Sequence, residues 1–154
     1  MNKLRNEDLI NQKEAPLINA ILLDNVQFIY ELVLAQLELS SFDLTFELKD
    51  NLKDFIIETN SNLTLPLKRL AYFKQIGESY TDYYHLLNYN QTSSVNQYLT
   101  HWIYPYKGKF HPQMIRSIFN IMKIKPNETI LDPFMGSGTT ALESQLLGIN
   151  SIGF

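Results

Sequence analysis

The residues with the clearest chemical potential form one short run, Asp132 to Thr140, in which an acid precedes two closely spaced glycines. Glycines at the mouth of a strand let the backbone approach a ligand closely, because no Cβ stands in the way. The N–H groups at the start of a following helix add hydrogen-bond donors and a partial positive charge. The run therefore predicts a ligand-binding turn between a strand and a helix.

Three ligand classes can be compared against this turn. A phosphate-binding P-loop needs a lysine after its last glycine, whereas Gly138 is followed by Thr139. The spacing Gly136-x-Gly138-x-x-Ala141 formally fits a dinucleotide fingerprint. Asp132 would however repel a pyrophosphate and attract a cationic amino group. S-adenosyl-L-methionine (SAM) carries an ammonium, a carboxylate and a sulfonium, so it suits an acid beside a helix N-terminus. A structural turn without a ligand is the remaining alternative.

The elements around the run form a strand–helix–strand pattern. Residues 128–132 are predicted to be a buried strand, 139–147 a helix that ends at Gly148, and 151–154 the start of a second strand. Strands joined through a helix in this way lie parallel. Another helix is predicted to begin at His111-Pro112.

Residues 1–99 are predicted to be a helical N-terminal region. Apolar residues at three- or four-residue steps predict a helix over about 17–39, after Pro16. A second helix is predicted after Asp43, a third from Pro66 to about Ile76, and a fourth over roughly 79–87. A polar loop at 88–96 then leads to the rest of the chain.

The composition excludes several kinds of site and compartment. The 154 residues contain no cysteine and three histidines without metal-ligand spacing, so no metal site is predicted. The net charge of −3 gives no overall case for nucleic acid or an anionic membrane, although residues 83–127 carry five cations and no acid. No segment has the pattern of a signal peptide or a membrane span, so a cytoplasmic protein without a membrane partner is expected.

The cofactor run resembles a known motif. Asp132-Pro133-Phe134-Met135-Gly136-Ser137-Gly138-Thr139-Thr140 is similar to the SAM motif of amino-methyltransferases that act on N4 of cytosine or N6 of adenine in DNA. Upstream, the stretch from Tyr104-Pro105 to Lys109-Phe110-His111-Pro112 resembles the segment that precedes this motif in many members, with an extra residue or two in between. The resemblance covers about residues 104–154. It implies an α/β protein in which residues 100–154 are the start of a Rossmann-like SAM-dependent methyltransferase domain, truncated after its second strand.

The resemblance also implies roles for individual residues. Asp132 would bond the methionine ammonium, the amides near Ser137 to Thr140 would meet the carboxylate, and Lys109 would help to close the opposite side of the pocket. The implied cofactor-binding set is Asp132, Pro133, Phe134, Gly136, Ser137, Gly138, Thr139, Thr140, Lys109, Phe110 and Pro112. It contains no metal ligand.

The catalytic element of the family is not in this sequence. That element is Asp, Asn or Ser followed by Pro-Pro and an aromatic residue, and no Pro-Pro pair occurs here. Two parallel strands alone do not make a stable open sheet. We therefore expect the N-terminal part of a site-specific DNA methyltransferase, from a restriction–modification or orphan system, that is inactive alone. Its expected partners are double-stranded DNA and a second chain, or a missing C-terminal part, that completes the sheet and supplies the catalytic motif.

Two alternatives stay open at this point. An RNA methyltransferase fragment fits because enzymes that modify tRNA and rRNA use similar loops. A non-catalytic helical interaction module with a vestigial cofactor loop also fits, and the acidic segment 17–60 would then carry its function. The sequence predicts neither the target base nor the recognition sequence.

Overall fold

The computed structural model describes residues 15–90, 94–101, 103 and 108–154. Strands and helices are mixed along this part of the chain, which confirms the predicted α/β class. The upstream stretch Tyr104 to Lys107 lies outside the described residues. In chain order the elements are β1 (Leu17–Leu22), α1 (Ile29–Ser41), β2 (Thr45–Leu48), β3 (Asp54–Glu58), α2 (Thr64–Arg69), β4 (Phe73–Ile76), β5 (Ser79–Tyr80), α3 (Asp82–Asn90), α4 (Pro112–Ile121), β6 (Thr129–Asp132), α5 (Thr139–Leu146) and β7 (Asn150–Gly153).

The first five strands form one antiparallel sheet in the order β2-β3-β1-β4-β5. The central strand β1 pairs with β3 from Leu17↔Glu58 to Ile21↔Asp54, and with β4 on its other side. Alternate residues along these strands point to one face, where Ala20 and Phe55 are fully buried in a cluster that includes Leu39 of α1. The main hydrophobic core therefore lies between this sheet and α1.

The prediction of successive helices over residues 17–76 is wrong in three places. Residues 17–22 form β1, residues 45–58 form β2 and β3, and residues 73–76 form β4. The spacing misled because Ile18 and Leu22, four residues apart, share a face in a strand as well as in a helix. The Asn51 side chain also builds a turn between β2 and β3, since its Oδ1 accepts hydrogen bonds from the N–H groups of Lys53 (3.0 Å) and Asp54 (3.1 Å).

The helix that was predicted to start after Pro16 begins instead at Ile29. Oε2 of Glu31 accepts hydrogen bonds from the backbone N–H groups of Gln27 (2.9 Å) and Phe28 (3.0 Å), which satisfies donors at the helix start. The helix predicted from Pro66 to about Ile76 is present only as α2, which ends at Arg69. The helix predicted over roughly 79–87 is present as α3, which extends to Asn90 and so into the predicted loop at 88–96. Local hydrogen bonding thus decides where α1 starts.

The strands and helices that are predicted for residues 111–154 are present. Helix α4 begins at Pro112, and β6 and β7 pair in parallel from Thr129↔Asn150 to Asp132↔Gly153. Helix α5 joins the two strands and ends before Gly148, whose φ of +70° suits the left-handed position after a helix. Helix α4 packs on both α1 and α5, and α5 packs on β7. Helix α4 is therefore the element that connects the first sheet to the parallel strands.

A buried polar cluster fixes α4 against the first sheet, and we call Glu38, Arg69, Gln113 and Asn120 the Glu38 cluster. The fully buried Glu38 carboxylate accepts from Asn120 Nδ2 (2.6 Å) and from the N–H groups of Ala71 and Tyr72 (3.1–3.3 Å). Gln113 Nε2 donates to the Ala71 carbonyl at 2.9 Å. Burial raises the pKa of Glu38 to about 7, although these hydrogen bonds lower it in part. The bonds cross the predicted boundary between residues 1–99 and 100–154, and that division stays a prediction.

Candidate cofactor site

The loop from Pro133 to Gly138 connects β6 to α5 and is shaped by the side chain of Asp132. Oδ1 of Asp132 accepts a hydrogen bond from the N–H of Phe134 at 3.0 Å, which turns the chain directly after the strand. Gly136 (φ +53°) and Gly138 (φ +79°) occupy the left-handed conformation that other residues rarely adopt. Gly138 N–H closes the loop by donating to the Met135 carbonyl at 3.0 Å. The two glycines are thus required by the path of the backbone.

The loop is also attached to the end of β7. Phe154 N–H donates to the Asp132 carbonyl at 3.3 Å, and Met135 N–H donates to the Phe154 carbonyl at 3.2 Å. A Cβ on Gly153 would lie 2.0 Å from Cε of Met135, so the Met135 side chain occupies the space that glycine leaves on β7. The sequence-based site missed both Met135 and Gly153. A glycine at the end of a predicted strand was the available signal for such a close approach.

The start of α5 presents backbone donors beside this acid. The first N–H groups of a helix have no partner within the helix and carry a partial positive charge. Thr139 and Thr140, the first residues of α5, are buried (4% and 9% exposed), and the Thr139 hydroxyl has no hydrogen-bond partner among the described residues. A Cβ on Gly138 would meet no atom within 4 Å, so the space above the helix start is open. A half-buried carboxylate and a set of free amides therefore share one open turn.

The upstream residues Lys109, Phe110 and Pro112 lie at or just before the start of α4. Lys109 Nζ donates to the backbone carbonyl of His101, and burial lowers the pKa of Lys109. Pro112 is buried at the first turn of α4, whereas the Phe110 ring is 55% exposed. No hydrogen bond or ion pair joins these residues to the 132–138 loop among the described residues. The packing of α4 on α5 is what relates the two groups.

A second buried polar cluster holds α5 in place, and we call Tyr98, His101, Arg116 and Glu143 the Glu143 cluster. The fully buried carboxylate of Glu143 accepts from the Tyr98 hydroxyl and from Arg116 Nε (3.0 Å), and its Oε1 lies 2.9 Å from Nε2 of His101. The guanidinium of Arg116 also lies over the Tyr83 ring, 4.9 Å from its centroid. The sequence predicted none of these pairs. They fix the helix that carries the loop amides against α4 and against the 94–101 segment.

A cavity of about 750 Å³ follows the side of β6 that faces away from β7. Its wall is formed by residues of α4 and β6, among them Ile115, Phe119, Met122, Ile130 and Asp132. In the residues that the structure describes, β6 pairs with β7 alone. On the face of the parallel pair where Leu131 and Ile152 lie opposite each other, both side chains are exposed (65% and 52%). The predicted burial of β6 is therefore incomplete.

No group of three or more His, Asp or Glu side chains is arranged to hold a metal ion in the described ranges. Among those same residues, no helix is long and apolar enough to cross a membrane.

Comparison with known proteins places the chain in a family. A family model described as DNA methylase matches residues 25–154, which includes most of the first sheet as well as the cofactor loop. The type II methyltransferase M.BsoBI of Geobacillus stearothermophilus is 45% identical over 58 residues, covering 38% of this chain and 11% of that protein. The type II methyltransferase M.MjaII of Methanocaldococcus jannaschii is 51% identical over 53 residues, covering 34% and 10%.

A third relative modifies RNA by its name. The tRNA (guanine(10)-N2)-dimethyltransferase of Methanothermobacter thermautotrophicus is 35% identical over 48 residues, covering 31% of this chain and 14% of that protein. The matched segment spans about a tenth of the length of the two type II relatives. Because the family model covers more than half of the residues, the chain belongs to the DNA methylase family.

Proposed function

We propose that this chain supplies the SAM-binding part of a site-specific DNA methyltransferase that modifies N4 of cytosine or N6 of adenine. The observation that carries the proposal is the position of Asp132, at the end of a parallel strand and beside the amides that open α5. SAM brings the methyl group on its sulfonium. The chain's own residues bind and orient the methionine end of the cofactor.

The donors and acceptors of the turn match the charges of the methionine group. The free lone pairs of the Asp132 carboxylate accept from the ammonium of SAM. The amides of Ser137, Thr139 and Thr140 donate to the carboxylate of SAM, whereas the Gly138 N–H is already bonded within the loop. The exposed Phe134 ring (87% exposed) and the open space above Gly138 leave room for the rest of the cofactor. Pro133, Gly136 and Gly138 contribute the shape of this wall rather than a charge.

Lys109, Phe110 and Pro112 form the opposite wall in this proposal. Phe110 is the exposed member and supplies an apolar surface, while Pro112 sets the start of α4. Lys109 acts by holding the segment before α4 to the His101 carbonyl. The Glu143 cluster supports both walls, because it links α5 to α4.

We further propose that additional polypeptide completes this sheet and supplies the catalytic motif, whether from the same protein or from a second chain. The unpaired side of β6, the cavity of about 750 Å³ beside it and the exposed Leu131–Ile152 face support this. The small share of the type II relatives that the match covers is consistent with it. The chain is then inactive alone, and a cytoplasmic location with double-stranded DNA as substrate is part of the proposal.

SAM binding tests the assigned role of the loop. Nuclear magnetic resonance titration of the chain with millimolar SAM should shift the amide signals of residues 132–140 and Phe154. The change Asp132→Asn should abolish these shifts, because it removes the negative charge that faces the ammonium. Asp50→Asn is the matched control, since Asp50 is exposed and lies in a turn of the first sheet. Equal affinities of the Asp132→Asn variant and the unchanged chain would overturn the assignment.

Activity tests the need for a further segment. The chain alone should transfer no label from methyl-labelled SAM to duplex DNA. A mixture with a polypeptide that carries the remaining strands and an Asp/Asn/Ser-Pro-Pro motif should transfer it, and digestion with mass spectrometry then distinguishes N4-methylcytosine from N6-methyladenine. Methylation of DNA by the chain alone would refute this part of the proposal.

RNA methylation is the second candidate, and the similarity to the tRNA dimethyltransferase favours it. The same labelled assay of the mixture, with tRNA in place of duplex DNA, separates the two, because transfer of label to tRNA and not to duplex DNA would favour the RNA substrate. The non-catalytic helical module loses its basis, because residues 17–60 form strands where that interpretation required long helices.

A further inference from the structure

A separate cavity of about 300 Å³ lies where the end of α1 meets α2 and the connection between α4 and β6. Asp43, Arg69, Asn120, Lys123 and Lys125 are among the residues that line it. The cavity includes no residue of the cofactor loop. Part of its lining comes from the connection between α4 and β6, which lies before the first residue of β6. The cofactor loop follows the last residue of β6, so the two sites lie at opposite ends of this strand.

Arg69 gives this cavity a buried cation with an unused donor. Its side chain belongs to a residue that is only 8% exposed, and Nε donates to Asn120 Oδ1 at 2.8 Å. The Nη2 atom is buried and has no hydrogen-bond acceptor among the described residues. A buried guanidinium nitrogen without an acceptor is costly, and most such groups in proteins have a partner.

The nearest buried acid does not supply that partner. The Glu38 carboxylate is taken up by the Asn120 amide and by the N–H groups of Ala71 and Tyr72. Among the described residues, the ion pairs include none formed by Arg69. The positive charge of Arg69 is therefore balanced only at a distance.

The rest of the lining is cationic with one opposing acid. Lys123 and Lys125 add two positive charges, and Asp43 pairs with Lys123 at 3.0 Å at the exposed rim. The ends of α1 and α4 bring a partial negative charge of roughly half a unit each. Among the side chains that line the cavity, three cations therefore stand against one acid.

We propose that this cavity binds a phosphate group, with Arg69 as its buried donor and with Lys123 and Lys125 at its rim. The group is either free phosphate or a phosphate of a nucleic-acid backbone, since the two present the same oxygens. Proteins commonly bind phosphate through the guanidinium group of arginine and the ammonium group of lysine. The size of the cavity, at the lower end of the range for ligand pockets, suits a small ligand.

Titration with inorganic phosphate at constant ionic strength, with chloride as the balancing anion, tests the site. Saturable binding by the whole chain is expected, with amide shifts around Arg69 and Lys125. Lys125→Gln should raise the dissociation constant several-fold, and Arg69→Met should raise it at least about tenfold, because a hydrogen bond to a charged group is lost. Asp43→Asn should lower the dissociation constant for phosphate, because Lys123 then loses its ion pair and can bind the anion.

Control variants separate binding in the cavity from a general effect of charge and from loss of folding. Lys68→Gln removes an exposed cation next to Arg69 that does not line the cavity, and it should leave phosphate affinity unchanged. Lys125 and Asp43 are exposed, so their variants report on binding even if Arg69→Met fails to fold. No saturable binding, or equal loss in Lys125→Gln and Lys68→Gln, would overturn the proposal.

Duplex DNA as a competitor then identifies the source of the phosphate. Displacement of phosphate by DNA, weakened by Lys125→Gln, assigns the site to a nucleic-acid backbone, and binding of phosphate that DNA does not displace assigns it to a free anion. The proposal does not depend on methyl transfer. Asp132→Asn should leave phosphate binding unchanged, so failure of either proposal is recognised separately.

Discussion

The two sheets of the described chain bury their apolar residues to very different extents. In the antiparallel sheet, Phe55, Ile57 and Phe73 are fully buried beneath α1. In the parallel pair, Leu131 is 65% exposed and Ile152 is 52% exposed. Burial of apolar surface is the main source of stability. The first region therefore contributes most of the stability, while the second leaves its loop and one face of its strands exposed to solvent.

Removing one aromatic ring from each region should give the largest contrast. Phe55 packs edge-on against Phe46 and Phe73, with ring centroids 5.7 and 5.4 Å apart, so Phe55→Ala should lower the free energy of unfolding by about 3–5 kcal/mol. Phe134→Ala is the matched control, because that ring is 87% exposed, and should change it by less than about 0.5 kcal/mol. Urea denaturation measures both. Similar losses would show that the two regions contribute equally.

The second largest effect should be a change in stability with pH, caused by Glu38 at the junction between the two regions. Burial raises the pKa of Glu38 to about 7, so the folded state binds the proton more tightly than the unfolded state does. The contribution of Glu38 to stability is therefore fully present below the pKa that Glu38 has in the unfolded chain. As the pH rises from there to about 7, the free energy of unfolding should fall by about 3 kcal/mol. Glu38→Gln should flatten the dependence of the unfolding free energy on pH over this interval. An unchanged slope in that variant would contradict the assignment.

The Glu143 cluster should have the next largest effect, because it links α5 to the remainder of the molecule. Glu143→Gln places an amide N–H donor among groups that already donate to the Glu143 carboxylate. We therefore expect the free energy of unfolding to fall by about 2 kcal/mol. Hydrogen exchange should also accelerate in α5 and in residues 94–101. Glu58→Gln, at an exposed position of β3, is the control and should change neither quantity. Unaltered exchange in α5 would mean that the cluster does not position it.

The difference between the regions also decided what the sequence could predict. The cofactor loop was predicted because its chemistry lies in nine consecutive residues and depends on local backbone shape, as the positive φ of Gly136 and Gly138 shows. The predicted helices failed over 17–22 and 45–58 because a four-residue apolar step fits one face of a strand too. Pairing of β1 with β3 and β4, distant in sequence, then selected the strand.

The polar clusters show the other limit of sequence reasoning. Glu143 contacts residues 27 to 45 positions away, and Asn120 contacts Glu38 across 82 positions. No local pattern relates such residues, since each is an ordinary polar or aromatic side chain when only its neighbours in sequence are considered. Their partners are set only when α4 packs between α1 and α5. The residues that position the site were therefore invisible in the sequence, while those that form its loop were evident.

The smallest effect on stability should come from the exposed face of the parallel pair. Threonine in place of Leu131 and Ile152 still suits a strand, and it removes only apolar surface that is already exposed to solvent. The free energy of unfolding should therefore change by less than about 0.5 kcal/mol. The same double variant should fail to associate with a polypeptide that completes the sheet, because association buries this face. Analytical ultracentrifugation of the mixture measures that loss. Normal association would show that the added polypeptide does not bury this face. A stability loss close to that of Phe55→Ala would show that the face already packs within this chain.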